Sequence, residues 1–431
     1  MGDKKMSDFQ KFLKVPNSLA EDSIVAGVFH EVDERLFHLI DSGQIKNKPI
    51  HICSGGTTSQ CAANQHWTLD LRENYRDLNF SPSKQEIEIG GGVKMSELMT
   101  TISKYAQSFP IGLSSSTGVG YILTGGISPI SRNRGLAIDQ IIKIKGVWGS
   151  GERFEIIKPT FSSNDHTKKC WKGLCGAAPF LGIVTSITLK THKIKPIFTF
   201  QTIIRMDQLA ECINIAEGWP NNASLQWIWG DQIRIFVVIE MNDGLMDKEV
   251  ENLIKDLPNK ELAKIKKIKS ISELPKFTVP LNEKSSDLRM HSEVIGLLGK
   301  NWGNKSIELI RSINELMKNR PNNNCYIASQ QLGGETTTKT ESSFIHRDSI
   351  WKPWINAAWP AGEMTTREES LSWLKEVWQQ MESLCPGVHL AQLHPHLDIH
   401  EREIKAAFKN WLPELQTLKT VHDPKGILPP L

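Results

Sequence analysis

The sequence predicts an α+β fold in two parts. Short β-branched strands run into glycine-rich loops over the first 195 residues, a strand, helix, strand, strand order follows, and the composition shifts near residue 195. The length of 431 residues allows roughly two or three domains, with 39% hydrophobic and 23% charged residues, values typical of a globular chain. A net charge of +3 lacks the dense basic excess of a nucleic-acid-binding domain.

Residues 48–53 (KPIHIC) form an apolar run delivered into SGGTTSQ. WTLDL (67–71) follows. In QEIEIGGG (85–92), Ile87 and Ile89 alternate with Glu86 and Glu88 as in a half-buried strand. MSELMTTISKYAQ places Leu98, Ile102 and Tyr105 at helical spacing with Ser96 as the N-cap. The stretch 109–139 is rich in Gly, Ser and Thr but retains regular apolar residues, so it is expected as ordered loop. Strands at 141–149 and 154–159 precede WKGLCGAAPFLGIVTSITLKTHKI (171–194), read as a glycine-rich turn feeding a strand.

The second part offers strands at 198–204, 224–230, 233–241 and 325–332, with helices opened by Asp207, near 304–319 and over 371–384. In the last of these Trp373, Val377, Met381 and Leu384 share one face, a core stripe. The Lys-rich stretch 261–271 is expected as a solvated face. The tail divides into a helix from about Glu401 and one opened by Pro413.

The N-terminus has no long apolar stretch of the secretory kind, and no run of about 18 apolar residues suits a membrane span. Seven cysteines with no Cys-x-x-Cys pair argue against a disulfide framework or a zinc ribbon and fit reduced thiols in the cytoplasm.

Glycine allows close backbone approach and positive φ, so loops at Ser54–Gln60, Thr117–Ile127 and Gly176–Val184 can converge N–H groups on a phosphate-bearing ligand. GVGYILTGG lacks the spacing and the following helix of the dinucleotide fingerprint, and neither a P-loop nor a G-x-S-x-G elbow occurs. SGGTTSQ, STGVGYILTGGISPISRNRGLAIDQI and GIVTSITLK together resemble the FAD-binding domain of the vanillyl-alcohol oxidase and p-cresol methylhydroxylase (PCMH) superfamily. FIHRD (344–348) and the ending KNWLPELQTLKTVHDPKGIL resemble its berberine-bridge-enzyme-like branch.

The resemblance implies a PCMH-type FAD-binding domain over 1–195, a substrate domain with an antiparallel sheet flanked by helices over 196–385, and a segment 386–431 that returns to the FAD domain. It implies FAD contacts from Ser54, Gly55, Gly56, Thr57, Thr58, Ser59 and Gln60, from Thr117, Gly118, Gly120, Thr124, Gly125 and Gly126, and from Gly182 and Val184. The covalent members carry His and Cys where this chain has Thr57 and Ser114, so FAD is expected without a covalent bond. The implied activity is oxidation of a CH–OH or related C–H group of a small molecule, with hydride passing to flavin N5 and oxygen or another acceptor taking the electrons. A catalytically degenerate flavin-fold binding protein is the alternative.

A base that titrates near neutrality points to histidine. If 388–398 forms a strand, His394, His396 and Asp398 share a face. The histidine-rich segment admits three readings: packing residues, an active-site role led by His394 and His396, or a metal site. Arg347, beside His346, is a candidate to hold a substrate carboxylate or the negative charge of the reduced flavin, and Tyr326 and Glu335 are further candidates. With only four tyrosines (75, 105, 121 and 326), a phenol at the site has few sources.

Overall fold

The computed structural model describes residues 26–42, 49–58, 61, 62, 66–114, 116–241, 247–268, 273 and 290–431. Strand β1 (Gly27–Phe29) is followed by helix α1 (Glu34–Asp41), and β1 and β2 (His51–Cys53) flank β3 (Trp67–Asp70) in parallel. A second sheet is antiparallel throughout. It contains β4 (Leu78–Ser81) and β5 (Glu86–Gly90), then, after helix α2 (Met95–Ser103) and the short strand β6 (Gln107–Ser108), β7 (Ile141–Trp148), β8 (Arg153–Ile157) and β9 (Gly182–Lys190), in the order β4-β5-β9-β7-β8. Strand β10 (His192–Lys193) pairs with β6. The expected alternation in β5 is present: Ile87 and Ile89 are fully buried, while Glu88 meets Lys143 and Lys145.

Helix α2 begins at Met95, so Ser96 lies inside it and is not its cap. The Glu97 carboxylate instead accepts from the Lys94 N–H at 2.8 Å, and the Met95 N–H is taken by the Thr117 carbonyl. Two short helices, α3 (Val119–Leu123) and α4 (Ser131–Arg134), order the glycine-rich stretch. The segment read as a turn at 171–181 belongs to helix α5 (Asp165–Leu181), capped by the Asn164 side chain and broken at Cys175–Ala177. The break sits at Gly176, with φ +128°, because the 343–344 backbone packs there: a Cβ would lie 2.8 Å from that of Ser343.

The second part is one antiparallel sheet of eight strands. Its strands are β11 (Ile197–Ile204), β12 (Ala223–Trp229), β13 (Ile233–Glu240), β14 (Lys264–Ile268), β15 (Met290–Leu298), β16 (Tyr326–Gln331), β17 (Trp351–Pro360) and β18 (Gly387–Val388), ordered β14-β11-β13-β12-β16-β17-β15-β18. Helices α6 (Met206–Glu217), α7 (Asp247–Ile254), α8 (Lys305–Lys318) and α9 (Met364–Met381) accompany it, α6 and α8 packing together and α9 lying on β17. Arg205, not Asp207, precedes α6 as its N-cap; the Asp207 carboxylate is drawn instead into an ion pair with Arg205. The Lys-rich stretch forms edge strand β14 with Lys264, Lys266 and Lys267 exposed, a charged edge that discourages further strand pairing.

No strand spans 388–398. Pairing stops at Val388, and turns follow to helix α10 (His400–Phe408), so His394, His396 and Asp398 do not line a strand face. Helix α11 (Leu412–His422) packs on α5, and Ile427 and Leu428 join a small core with Phe29, Leu36 and Leu69. The Ile50 N–H closes this return with a 2.7 Å bond to the Ile427 carbonyl. Among the described residues no helix is long and apolar enough to cross a membrane.

Candidate functional site

The loop after β2 and the loop leading into α3 meet backbone to backbone. A Cβ on Gly55 would lie 2.3 Å from the Gly118 N, and one on Gly118 would lie 2.4 Å from the Ser54 Oγ. Ser54 Oγ donates to the Gly91 carbonyl at 2.6 Å and accepts from the Gly120 N–H at 3.5 Å. Gly91 in turn presses on β9: its Cβ would be 2.5 Å from the Val184 carbonyl. Ser54, Gly55, Gly56, Gly118, Gly120 and Val184 are therefore brought together. Gly56 (φ +70°), Gly125 (φ +130°) and Gly126 (φ +67°) use backbone that other residues adopt only with strain.

Thr124 Oγ1 donates to the Gly120 carbonyl, and Thr117 Oγ1 donates to that of Ser114. Thr57 is half-buried, and Thr58 and Ser114 are exposed, the latter bonded to Ser116. Gly182 sits apart from this cradle, paired with Trp148 at the start of β9. Ser59 and Gln60 lie outside the described residues. Beneath the loop, hydrogen bonding with the Cys53 thiol holds the buried Cys61 thiol at about 7 against its own burial.

Opposite the cradle lies one face of the large sheet. Register pairs Gln226 with Gln330 and Gln330 with Lys352, and two residues along, Ile228, Ala328, Trp354 and Gly296 form the next row. Tyr326 and Asn356 make a third row. The other face carries Trp227, Gln331, Trp351 and Ile355, and the Gln331 amide donates to the Ala216 carbonyl of α6, so that side faces the helices. The first face turns toward the glycine loops: Ser224 Oγ donates to the Pro129 carbonyl, and Arg132 on α4 donates to the carbonyls of Ala223, Trp219 and Leu332.

This polar row is buried but under-bonded. Gln226 Oε1 and Gln330 Nε2 lack a protein hydrogen-bond partner, His389 has only the neighbouring Gln392 side chain, and such groups cost free energy unless a ligand or water completes them. His389 Nε2 would lie 3.3 Å from a Cβ on Gly125, which ties the sheet side to the cradle. Burial, reinforced by the neighbouring Lys352 charge, holds the His389 imidazole well below its usual range and therefore neutral. Lys352 is only 6% exposed, its Nζ 4.5 Å from the Trp354 ring centre, and burial pushes its pKa down to about 7. Burial raises the Tyr326 phenol, against a partly offsetting hydrogen bond with the Trp354 side chain.

The other residues singled out by sequence are engaged elsewhere. His394 lies between two buried glutamates, Nδ1 2.6 Å from Glu403 and Nε2 3.5 Å from Glu293; Glu293 also takes His396 at 2.8 Å. Glu293 shares the register parity of Ile295 and Ile355, the face opposite Lys352. Burial lowers the His394 pKa, but the two carboxylates outweigh it and the net shift is upward. Arg347 is not free for a substrate carboxylate. Its guanidinium makes two bonds to Asp139 and others to Thr340, Ser342 and the Phe344 carbonyl. His346 bonds the Ala406 carbonyl, and Glu335 sits on a 3-10 turn. Of the sequence candidates, only Tyr326 is on the polar sheet face. Gln226, Gln330, Lys352 and Trp354 were missed. Their signal was present as polar residues interrupting apolar strands, above all a lysine flanked by tryptophans in WKPW.

A glycine-loop backbone facing a buried polar sheet suits a phosphate-bearing cofactor set beside a small polar molecule. Residues 37–156 match a family described as FAD binding domain. The chain is 21% identical over 388 residues to an uncharacterised FAD-linked oxidoreductase of Bacillus subtilis, covering 85% of this chain and 82% of that protein. The protein is an FAD-dependent oxidoreductase with a PCMH-type FAD-binding domain. Its fold is that of the berberine-bridge-enzyme-like oxidases. The structure of BBE-like 1 from Physcomitrella patens superposes with a TM-score of 0.80 at 16% identity, covering 98% of this chain and 94% of that one. Chitooligosaccharide oxidase superposes with a TM-score of 0.77 at 14% identity, over 98% and 94%.

Proposed function

We propose that this chain oxidises a CH–OH group of a small polar molecule to a carbonyl, with FAD bound noncovalently and oxygen or another acceptor removing the electrons. The observation that carries the reading is the buried row Gln226, Gln330 and Lys352, turned toward the glycine cradle with unpaired polar atoms. The cradle fits the cofactor: backbone N–H groups of 54–56 and 118–119 suit a pyrophosphate, Thr117 precedes α3 and Thr124–Gly126 follow it, and a Cβ at Gly120 would meet nothing within 4 Å. Thr57 and Ser114, with no imidazole or thiol, support attachment without a covalent bond.

When bound, FAD supplies the hydride acceptor, and the side chains do the rest. Gln226 and Gln330 hold the substrate hydroxyl groups by their free amide atoms. Trp354 provides an apolar wall. Lys352, about half neutral near pH 7, accepts the hydroxyl proton at Nζ and releases it to solvent, while the neutral His389 imidazole offers a further hydrogen bond. Tyr326 positions the substrate beside Trp354. The contacts of His394, His396 and Arg347 support a different role, fastening the tail and the 340–348 loop.

Division into an FAD unit at 1–195, a substrate unit at 196–385 and a returning tail at 386–431 is supported by the sheet boundaries and the Ile50–Ile427 bond. A cytoplasmic location is supported by seven unpaired, buried thiols. The test is the visible spectrum of the purified protein before and after acid precipitation, followed by anaerobic bleaching with aldoses, chitooligosaccharides and benzylic alcohols. Flavin released to the supernatant and bleached by one of these alcohols is the expected result. A colourless protein that takes up no added FAD overturns the reading and leaves a binding protein in its place; flavin retained in the pellet overturns the noncovalent attachment.

A further inference from the structure

We propose that His166, Cys170 and His422 form a binding site for a divalent transition metal of the zinc class, joining α5 to the last turn of α11. His166 and Cys170 are four residues apart and so share a face of α5. The Cys170 Sγ is 3.6 Å from His166 Nε2 and 3.3 Å from His422 Nε2, and the three donor atoms all lie within 4.8 Å of one another. With Zn–S of about 2.3 Å and Zn–N of about 2.0–2.1 Å, a tetrahedral ion separates its sulfur and nitrogen ligands by about 3.6 Å. The spacing is close to that of a ligand set around a common centre.

Without an ion, the Cys170 thiol donates to one imidazole nitrogen and accepts from the N–H of the other, both weak bonds. A cation among them is held by all three donor atoms at once. Two imidazoles and a thiolate favour zinc or its transition-metal neighbours over magnesium or calcium, which prefer oxygen. His422 is buried and His166 is exposed, so a water molecule fills the fourth position from the His166 side.

The surroundings hold the ligands in place. The Trp148 ring stacks on His422 at 3.9 Å, and the His422 carbonyl accepts from the Ser150 N–H at 2.7 Å. The adjacent Asp423 accepts from the Ile427 and Leu428 N–H groups and pairs with Lys419. Binding exchanges the Cys170 thiol proton, released to solvent, for a sulfur–metal bond, with no change of oxidation state. None of these residues belongs to the glycine cradle or the polar sheet face, so the ion acts as a staple that fastens the C-terminal segment to α5.

Tag-free, FAD-loaded full-length protein, freed of metal by chelation, is titrated with Zn²⁺ against a chromogenic chelator, and with Co²⁺ to read the visible bands of a tetrahedral ion beyond the flavin absorption. One equivalent of either ion is expected, with a rise in Tm. His166→Ala, a change on the helix surface, weakens Zn²⁺ by tenfold or more, and Cys170→Ser abolishes the tetrahedral cobalt spectrum; if the buried serine prevents folding, His166→Ala decides alone. Failure to bind one equivalent, or undiminished uptake in a folded variant, overturns the proposal.

Discussion

Lys352 gives the sharpest test of the proposed chemistry. Its burial lowers the pKa from 10.5 to about 7, on the order of 5 kcal/mol in favour of the neutral amine. At pH 7 about half of the side chains are then free bases, against about one in three thousand for a solvated lysine. Lys352→Arg keeps a cation and Lys352→Met keeps the bulk, but neither provides a base. Both are expected to lower the rate of anaerobic flavin bleaching by about 10²–10⁴-fold, with the alcohol that bleaches the wild type. In stopped flow the wild-type rate rises about tenfold per pH unit below 7 and levels above it; that limb vanishes in both variants. The stability effect has the opposite direction. Because the folded-state pKa is depressed, the penalty of burying the ammonium is fully present below pH 7 and fades as pH rises toward 10.5, so Lys352→Met melts no lower than wild type under neutral or acidic conditions. An arginine variant that bleaches within threefold of wild type, or a limb near pH 7 that survives in both variants, refutes the assignment of Lys352 as the base.

Three further outcomes follow from the packing. Gly55→Ala drives a methyl group against the Gly118 backbone and is expected to weaken FAD about tenfold or more, measured by fluorescence titration of the apoprotein. His394→Gln leaves Glu293 and Glu403 facing each other without a cation and is expected to cost about 3–5 kcal/mol in denaturant unfolding, with bleaching kinetics retained; since its folded pKa is raised, the wild-type contribution is full below about pH 6.5 and is lost as pH climbs through the folded value. Arg347→Met strands the buried Asp139 carboxylate and is expected to lower stability by a similar amount, again seen by denaturant unfolding.

Much of this architecture was legible from local signals. Alternation in QEIEIG located β5, and glycine clustering in SGGTTSQ and GVGYILTGG located two stretches that the structure brings into contact at Gly55 and Gly118, although Val119–Leu123 of the second is helix α3 rather than loop. The failures arose where tertiary partners override local pattern. His-x-His spacing in HPHLD suggested a strand, yet the Glu403 carboxylate takes both the His394 N–H and its ring nitrogen, bending the segment into turns. The Ser96 cap lost to a glutamate that satisfies the preceding N–H. Lys352 was passed over because its meaning depends on register: only the pairing with Gln330, and through it Gln226, shows that the amine belongs to a buried polar row.

The bonds made by Arg132 bear on how molecules enter and leave. Its guanidinium, its pKa lowered to about 10 by burial, reaches four main-chain oxygens of the larger sheet and its loops, while neighbouring Asn133 and Arg134 hold the Glu240 carboxylate. Parting the two halves like a clam would break all of these together, at on the order of 1.5–3 kcal/mol for each charged bond. Turnover should therefore show little of the viscosity dependence typical of hinge-opening enzymes.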